Sequence, residues 1–367
     1  MALDVTEFQA AGLYRPNAPD AAERLALLEW LVAQGIALEQ IVLAHREGQI
    51  LSLAADLALR REEQLSLIEL SRSSGMTVAE LEQLRLAAGL PPLDAHTPAF
   101  SAADVLAFTA FIGAREMFGD AAAVQFSRVI GSSLGRLAEA TVSLYLRTVE
   151  GRIREAGGDE LSLARANLAA IQALESLRPV VHSMLRWHLE TAIRRFREGR
   201  DSSSLETARM TVGFVDVVGF TPLSLRASTP ELGAVVDRFE AITSDVTAAH
   251  DGRVVKLIGD AVMFVTVRAA DACEIALTLM ERFGADPVVT PRGGLASGQL
   301  LMRGGDYYGP TVNLASRISD LAVPNEILVS SELATEVPND RFRFEPAGRR
   351  MLKGFDAPVQ LFSVCRG

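Results

Sequence analysis

Two aspartates in the C-terminal half have the setting of metal ligands. Asp216 lies inside the apolar run RMTVGFVDVVGFTPLS at 209–224, and Asp260 follows the strand-like segment RVVKLIG. A carboxylate in such a run is costly to bury unless it is paired or bound to a metal. If the two strands are neighbours, both carboxylates reach one point, and paired carboxylates favour hard divalent cations such as Mg²⁺ with a phosphate substrate. Taken alone, either aspartate fits equally well as a turn or cap residue.

Two further patterns in this half suit a phosphorylated ligand. The GFT that includes Thr221 places a glycine turn before a predicted helix start, where backbone N–H groups favour phosphate. In YYGPTVNLASR, Asn313 and Arg317 are four residues apart and therefore share one helix face. An amide beside a guanidinium suits a sugar and a charged phosphoryl group. An exposed polar helix face is the alternative interpretation of that pair.

The segments before residue 200 predict an all-helical region. They are rich in Ala, Leu, Glu and Arg, and apolar residues recur at spacings of three and four, as in AAERLALLEWLVAQGIALEQIVLAH. This period predicts roughly eight to ten helices and no strands. A long helical pattern follows at 160–199, and Pro179 should kink or divide it. The polar DSSS at 201–204 marks a domain boundary.

The segments after residue 208 predict alternating strands and helices. MTVGFVDVVGF is strand-like, a helix follows at 229–249, and GRVVKLIGDAVMFVTV predicts a hairpin with its turn at IGD. We also expect a helix at 269–284, a strand pair in PRGGLASGQLLMRGGDYYG, a helix in PTVNLASRISDLA, and strands at 326–330 and 341–347. This alternation favours an α/β sandwich with a mixed or antiparallel sheet.

The composition narrows the class of protein. The 367 residues carry a net charge of −10, which argues against nucleic-acid binding because that needs a basic footprint. Two cysteines, Cys273 and Cys365, are too few for a disulfide framework and fit a reducing compartment. We expect neither a signal peptide nor a transmembrane segment. The predicted location is the cytoplasm, and peripheral association with a membrane stays open.

The C-terminal half resembles the catalytic domain of class III nucleotidyl cyclases. The segments FVDVVGFT, VVKLIGDAVMF, PRGGLASG, GDYYGPTVNLASR and LKGF occur in the order found in that family, across about 150 residues of the chain. The resemblance implies an α+β chain of several domains, in which an all-helical N-terminal regulatory domain precedes a cyclase α/β catalytic domain with a ferredoxin-like core. It also implies an adenylate cyclase, a phosphorus–oxygen lyase that converts ATP to 3′,5′-cyclic AMP and pyrophosphate.

The resemblance assigns roles to the metal and base residues. Asp216 and Asp260 would hold two divalent metal ions, Mg²⁺ or Mn²⁺, and Lys256 and Asp306 would read the base. Adenine presents an acceptor at N1 and a donor at its 6-amino group, which a lysine and an aspartate can satisfy, whereas guanine presents the reverse pattern. The pair therefore favours ATP over GTP.

The remaining roles concern the ribose and the phosphates. Asn313 would orient the ribose, and Arg317 would stabilise charge on the transferring phosphorus. Arg292 and Lys353 would bind the β- and γ-phosphates. The backbone of four further residues would line the phosphate site: Phe214, Gly219, Phe220 and Thr221. In the family these residues act across a dimer interface, so the resemblance implies a homodimer with two equivalent composite sites.

The helical half resembles the autoinhibitory domain of actinobacterial pH-sensing adenylate cyclases, through YRPNAPDAAERLALLEWLVAQG and EQIVLAHREG. The resemblance divides the chain into a regulatory domain at 1–175, a linker or switch helix at 176–205 and a catalytic domain at 206–367. Histidine titrates near neutrality, so His182 and His188 in the switch segment are candidate pH sensors; two ordinary helix histidines are the alternative. An apolar cleft between helices could hold a fatty acid or lipid, although core filling explains the same composition.

Two other functions compete with the enzyme. A catalytically silent cyclase fold could act as a sensor or scaffold, but Asp216, Asp260, Asn313 and Arg317 are all present. SLIELSRSSGMTVAELEQLRLAAGL has the rhythm of a helix-turn-helix with Gly75 at the turn, which would suit a DNA-binding regulator. The acidic balance of the helical half argues against that second alternative.

Overall fold

The structure is a computed structural model and describes residues 5–60, 64–200, 206–218, 228–284, 290–338 and 340–367. The chain divides into two compact units, Met1–Arg186 and Trp187–Gly367. The division falls inside one continuous helix. The sequence boundaries at residues 175 and 205 stay predictions.

The first unit is built from helices in the part of the chain that the structure describes. Its helices are α1 (Val5–Ala10), α2 (Ala21–Ala33), α3 (Leu38–Arg46), α4 (Leu53–Leu59), α5 (Leu67–Ser74), α6 (Val78–Ala87), α7 (Ala102–Phe118), α8 (Asp120–Tyr145), α9 (Gly151–Glu155) and α10 (Glu160–Glu175), and a π-helical segment, Leu146–Glu150, joins α8 to α9. The next helix, α11 (Leu177–Gly199), begins in this unit and continues into the second. The all-helical prediction is confirmed, with slightly more helices among the described residues than the eight to ten expected.

Local capping explains why several of these helices begin where they do. The Ser66 hydroxyl accepts a hydrogen bond from the backbone N–H of Glu69, and the Glu69 carboxylate accepts one from the Ser66 N–H. This reciprocal capping box satisfies two donors that a helix start leaves free. Thr77 and Glu80 repeat the arrangement at α6. Gly75 ends α5 in the left-handed conformation with φ of 78°, which glycine adopts at little cost.

Pro179 does not kink the long helical pattern. The break comes at Ser176, between α10 and α11, and Pro179 is the third residue of α11. Proline is tolerated in the first turn of a helix because the N–H that it lacks would have no partner there. The expected division therefore occurs, but it lies ahead of the proline.

The second unit contains an eight-stranded mixed sheet and helices. Its strands are β1 (Thr207–Val218), β2 (Arg253–Ile258), β3 (Ala261–Thr266), β4 (Thr290–Arg303), β5 (Asp306–Tyr308), β6 (Ile327–Ser330), β7 (Phe342–Arg350) and β8 (Val359–Arg366). Its further helices are α12 (Thr229–Ala249), α13 (Ala269–Gly284), α14 (Pro310–Leu321) and α15 (Ser331–Glu336). The strand order is β2-β3-β1-β4-β6-β8-β7, and β5 pairs with β4. Only β4 and β6 run parallel among the described pairs, so the prediction of a mixed sheet is confirmed.

The two faces of the sheet are covered by different helices. Val215 and Val217 of β1 join the core formed with α12, α13 and α15. Val212 and Phe214 point the other way, into the core that α14 completes. Side chains alternate along a strand, so Asp216 lies on the α14 face. That face is the one on which the candidate site is built.

Within the described ranges, no helix combines the length and the apolar character that crossing a bilayer requires.

Candidate active site

Asp216 lies between two strands that supply its neighbours. In the register of the sheet it is opposite Ala261 of β3 on one side and Arg292 of β4 on the other. The guanidinium of Arg292 donates to Asp216 Oδ2 through Nε at 3.2 Å and Nη2 at 3.1 Å. The cation that the surrounding run lacks therefore comes from a distant part of the chain. About a fifth of the Asp216 side chain is exposed (22%), so the carboxylate is open to a ligand.

Asp260 is held beside Asp216 by the β2–β3 turn. Its backbone carbonyl accepts a hydrogen bond from the N–H of Val217, at 3.1 Å. The turn itself needs Gly259, whose φ of 63° is left-handed. The pKa of Asp260 lies above its ordinary value because burial disfavours the charged form and because the Asp216 carboxylate repels it, while Arg292 acts in the opposite direction. The sequence prediction that these two carboxylates meet agrees with this geometry.

The donor set at this point fits a divalent cation. Two carboxylates that repel each other at a half-buried position gain from a shared positive charge, and hard cations prefer such oxygen ligands. No group of three or more His, Cys, Asp or Glu side chains suited to a metal occurs among the described residues. The chain would therefore hold a cation with two carboxylates and leave the other positions to substrate oxygens, as Mg²⁺ sites commonly do.

Lys256 and Asp306 meet in a second cluster. Lys256 Nζ donates to Asp306 Oδ2 at 2.6 Å. The register of β2 shifts between Val254 and Lys256, and Lys256 lies opposite Met263, a residue of the α14-face core. Such a bulge re-aims the side chains that follow it. Lys256 is thereby placed on the same face of the sheet as Asp216.

A tight hairpin positions Asp306. Gly304 and Gly305, with φ of 60° and 79°, form a two-residue connection between Arg303 and Asp306. Left-handed backbone at both loop positions is characteristic of the turn that joins twisted antiparallel strands, and glycine suits it. The doubled glycine that precedes Asp306 in the sequence thus has a direct structural reason.

The charge on Asp306 is stabilised by its surroundings. Burial raises the pKa of this carboxyl, but the hydrogen bonds from Lys256 and from the Tyr307 N–H, together with the charges of Lys256 and Arg253, outweigh that effect and keep the pKa below its ordinary value. Arg253 Nη2 also donates to the Gly305 carbonyl at 2.8 Å. Arg253 is a functional candidate that the sequence analysis missed, although its position three residues before Lys256 on β2 is a usable signal.

Helix α14 carries the ribose and phosphate candidates. It can approach β4 because two strand positions lack side chains: a Cβ on Gly294 would lie 2.2 Å from the Ser319 nitrogen, and one on Gly298 would lie 2.5 Å from Thr311 Oγ1. Asn313 is exposed, and Arg317 pairs with Asp320 at 3.1 Å. The predicted i, i+4 pair therefore lies on an accessible helix surface.

The remaining predicted residues are placed as follows. Lys353 is exposed in the turn between β7 and β8, and Phe214 lies buried on β1. Gly219, Phe220 and Thr221 fall outside the described residues. His182 and His188 are both exposed on α11.

The two clusters are separate within the chain. The charged groups that shift the pKa of Asp260 are Asp216 and Arg292, whereas those that shift the pKa of Asp306 are Lys256 and Arg253. Among the described residues, the ion pairs Lys256–Asp306 and Arg292–Asp216 each stay within one cluster, and both clusters lie on the same face of the sheet.

The sequence matches two family models that together span nearly all of the chain. The model described as adenylate cyclase regulatory domain matches residues 9–193. The model described as adenylate and guanylate cyclase catalytic domain matches residues 203–364. The two matches meet close to the DSSS segment.

Several relatives are similar over most of their length. A pH-sensitive adenylate cyclase of Mycobacterium tuberculosis (strain CDC 1551) is 32% identical over 362 residues, covering 94% of this chain and 89% of the relative. An adenylate cyclase of Streptomyces coelicolor is 33% identical over 292 residues, covering 78% and 74%. An uncharacterized protein of Mycobacterium tuberculosis (strain H37Rv) is 32% identical over 368 residues, covering 99% and 94%.

Proposed function

The chain belongs to the class III adenylate cyclases that carry an N-terminal regulatory domain, and from that premise we propose how its residues perform the reaction. The substrate is ATP, and the products are 3′,5′-cyclic AMP and pyrophosphate. The ribose 3′-oxygen attacks the α-phosphorus in line, the bond to the β-phosphate oxygen breaks, and pyrophosphate leaves with that electron pair.

Asp216 and Asp260 would hold two divalent cations against the α-phosphate. When bound, the cations supply positive charge to the phosphates and lower the pKa of the 3′-hydroxyl. Arg292 contacts Asp216 and reaches the carbonyl of Ala322 at 3.3 Å, so its guanidinium is already placed at the carboxylate pair. It would exchange part of that pairing for the β- and γ-phosphates, as a bidentate guanidinium can.

Helix α14 supplies the groups that meet the ribose and the developing charge. Asn313 would fix the ribose so that the 3′-oxygen faces the phosphorus, which converts binding energy into orientation. Arg317, one helical turn later, would stabilise the negative charge that grows on the phosphoryl oxygens. Lys353, exposed in the β7–β8 turn, would bind the terminal phosphates.

Lys256 and Asp306 would select the base. The lysine donates to adenine N1 and the aspartate accepts from the 6-amino group. Guanine would place its N1–H, a donor, against the lysine, which is also a donor, and its O6, an acceptor, against the aspartate, which is also an acceptor. Such unpaired polar groups are strongly disfavoured when they are buried. The lowered pKa of Asp306 supports this role because the ionised carboxylate presents acceptors only, whereas a protonated carboxyl would also present an O–H donor to the 6-amino group.

The active form would be a homodimer with two composite sites. The carboxylate pair with Arg292 and the base pair on β2 and β5 form separate clusters in one chain. A two-fold axis would bring the first cluster of one protomer to the second cluster of its partner, and would do so twice. Each ATP would then lie between two chains.

The observation that carries the proposal is the pairing of Asp216, Asp260 and Arg292 at the end of β1. The test is cyclic AMP formation from ATP with Mn²⁺ or Mg²⁺, comparing the wild type with Asp216→Ala. We expect activity in the wild type and a loss of at least roughly 100-fold in the variant, because one metal ligand is gone. Activity that survives Asp216→Ala unchanged would remove this carboxylate from the mechanism.

Regulation by pH is the second part of the proposal, and the pH-sensitive relative supports it. His182 and His188 lie exposed on α11, where protonation would add positive charge to the helix. Replacing both by Gln should flatten the activity profile between pH 5.5 and 8. A profile identical to the wild type would sink the role of these two histidines. A lipid or fatty-acid ligand has no support from the comparisons and is not part of the proposal.

The structure gives less support to the two competing functions. A silent scaffold would have no use for the Lys256–Asp306 and Asp216–Arg292 pairs that the sheet brings together. Helices α5 and α6 do form a helix-turn-helix with Gly75 at the turn. However, α6 presents the exposed Glu82, which would repel a phosphate backbone.

A further inference from the structure

Side-chain contacts hold the β4–β5 hairpin against strand β2. In the sheet, β5 pairs with β4, and β3 and β1 lie between β4 and β2. Lys256 of β2 nevertheless donates to Asp306 at the start of β5. A second residue of β2, Arg253, donates from Nη2 to the Gly305 carbonyl at 2.8 Å, and its Cζ lies 5.6 Å from the centroid of the Tyr307 ring. Arg253 therefore contacts the hairpin at the residues on both sides of Asp306.

The irregularity in β2 is what brings Arg253 and Lys256 to one face of the sheet. Residues three apart on a regular strand point to opposite faces. The register of β2 against β3 shifts between Val254 and Lys256. Arg253 consequently lies opposite Val265, and Lys256 lies opposite Met263. Both partners on β3 belong to the core on the α14 face, so the two cations of β2 reach the same hairpin.

The neighbours of Asp306 in the chain determine where its carboxylate lies. The Tyr307 N–H donates to Asp306 Oδ1 at 2.8 Å, and the Tyr307 side chain is buried. Gly305, on the other side, is exposed in a turn of two glycines that has no side chains of its own to fix it. Arg253 supplies an outside contact to each of these neighbours, and it thereby fixes the segment that carries the carboxylate.

The bond between Lys256 and Asp306 is the link that substrate would alter. In the proposed site, the lysine donates to adenine N1 and the aspartate accepts from the 6-amino group. Both ends then redirect part of their mutual pairing to the base. The contacts of Arg253 are with a backbone carbonyl and a ring that do not bind the base, so they can stay in place when ATP is bound.

We propose that Arg253 is a positioning residue for base recognition, which fixes the β4–β5 hairpin through the Gly305 carbonyl and the Tyr307 ring and so holds Asp306 opposite Lys256. The proposal rests on the proposed base-reading role of Lys256 and Asp306. An arginine suits this position because its planar guanidinium can donate a hydrogen bond and stack on an aromatic face at the same time. Its loss would alter nucleotide affinity and base choice more than the chemical step.

The experiment measures KM for ATP, kcat and the inhibition constant of GTP in cyclic AMP assays of the full-length protein. The variants are Arg253→Met, which keeps an apolar stem, Arg253→Lys, which keeps the charge and a donor, and Arg253→Gln, which keeps a shorter polar end. Asp306→Ala is the reference for the base site. The control is Arg343→Ala, since Arg343 is exposed on β7, at the other edge of the sheet, and pairs there with Glu345.

We expect Arg253→Met to raise KM for ATP by roughly three- to tenfold, as for the loss of one hydrogen bond, while kcat and the inhibition constant of GTP change by less than about twofold. GTP responds less because guanine does not form the two hydrogen bonds that the hairpin positions. Arg253→Lys should recover part of the affinity for ATP. Arg253→Gln should raise KM in the same direction as Arg253→Met, which keeps the test independent of how stable the methionine variant is. Arg343→Ala should stay within about twofold of the wild type in every quantity.

The outcomes separate the positioning role from the base site itself. If Asp306→Ala narrows the gap between ATP and GTP while Arg253→Met and Arg253→Gln keep the wild-type KM, the positioning role is overturned and the base site stands. Equal losses of affinity for ATP and GTP would also contradict the proposal, as would a lower melting temperature as the only change. If Asp306→Ala leaves the gap between ATP and GTP unchanged, the base-reading role fails, and the role of Arg253 fails with it.

Discussion

Asp260 is the candidate site residue whose surroundings disfavour the ionised form of its own carboxyl group. Its pKa is raised above the ordinary 3.8 by burial first and by the neighbouring Asp216 second. In the pH window above 3.8 the folded chain therefore binds more protons at this group than the unfolded chain does. Stability contributed by this group is present at low pH and is lost as the pH rises through the folded-state pKa. The proposed metal-binding role requires Asp260 to be ionised at neutral pH, where its surroundings disfavour the charge.

Replacing Asp260 by Asn should consequently stabilise the protein while it removes activity. At pH 7 we expect Asp260→Asn to raise the melting temperature of the full-length chain by roughly 1–3 °C, and the gain should shrink as the pH falls toward 4. Thermal unfolding followed by circular dichroism at several pH values measures this. Asp245→Asn, at an exposed position of α12, is the control and should leave the melting temperature unchanged.

The same pair of proteins tests the metal site without an activity assay. A ligand that binds only the folded state raises the melting temperature, and the rise grows with the logarithm of the ratio of ligand concentration to Kd. Mn²⁺ with a non-cyclising ATP analogue should therefore stabilise the wild type and should stabilise Asp260→Asn far less. In the absence of Mn²⁺ and nucleotide, a melting temperature of Asp260→Asn at or below that of the wild type at pH 7 would contradict the raised pKa of Asp260.

Residue types and spacing predicted much of the site but not its internal pairing. Asp216 and Asp260 could be matched from their apolar strands alone. The ion pair between Asp216 and Arg292 could not, because the two residues are 76 positions apart and meet only through the β1–β4 register. The bulge before Lys256 is also invisible in the sequence, since it depends on pairing with β3.

At the scale of elements, two glycines of β4 set the position of α14. Gly294→Ala would place a Cβ 2.2 Å from the Ser319 nitrogen and 2.6 Å from the Ala315 carbonyl, and backbone cannot yield cheaply there. We expect this variant to displace α14 with Asn313 and Arg317 and to lose cyclase activity. Its free energy of unfolding should fall by at least about 2 kcal/mol, as for overpacked cores, and its melting temperature should fall accordingly. Cyclic AMP assays and thermal unfolding measure both effects.

Gly233 in α12 is the matched control for that change. Nothing lies within 4 Å of a Cβ built there, and the residue is helical. Gly233→Ala should therefore be neutral or stabilising by about 0.5–1 kcal/mol, because alanine favours the helix. A Gly294→Ala protein with wild-type activity and stability would show that α14 does not need this close approach.

The elements with strong local patterns could be predicted, and those that depend on partners could not. Helices α12 and α13 and the β2–β3 and β4–β5 hairpins occur where the sequence placed them. Strand β8 was not predicted, since Leu361 and Phe362 interrupt its alternation and it exists by pairing with β6 and β7. Helix α15 is six residues long, too short to show a helical period.

At the scale of the whole molecule, the proposed enzyme is a homodimer in which each chain supplies one half of each of two active sites. The carboxylate pair with Arg292 forms one half, and Lys256, Asp306, Asn313 and Arg317 form the other. A chain that lacks either half should be inactive as a homodimer. Two chains that lack different halves should rebuild one complete site when they pair.

The most direct test mixes two inactive full-length proteins, Asp216→Ala and Arg317→Ala, and measures cyclic AMP formed from ATP after the subunits have exchanged. Each heterodimer would hold one site with both substitutions and one with neither, so equal mixing should restore about a quarter of wild-type activity in a freely exchanging symmetric dimer. Either protein alone at the same total concentration is the control and should stay inactive. A mixture that stays as inactive as its components, under conditions where size-exclusion chromatography shows exchanged dimers, would contradict the composite site.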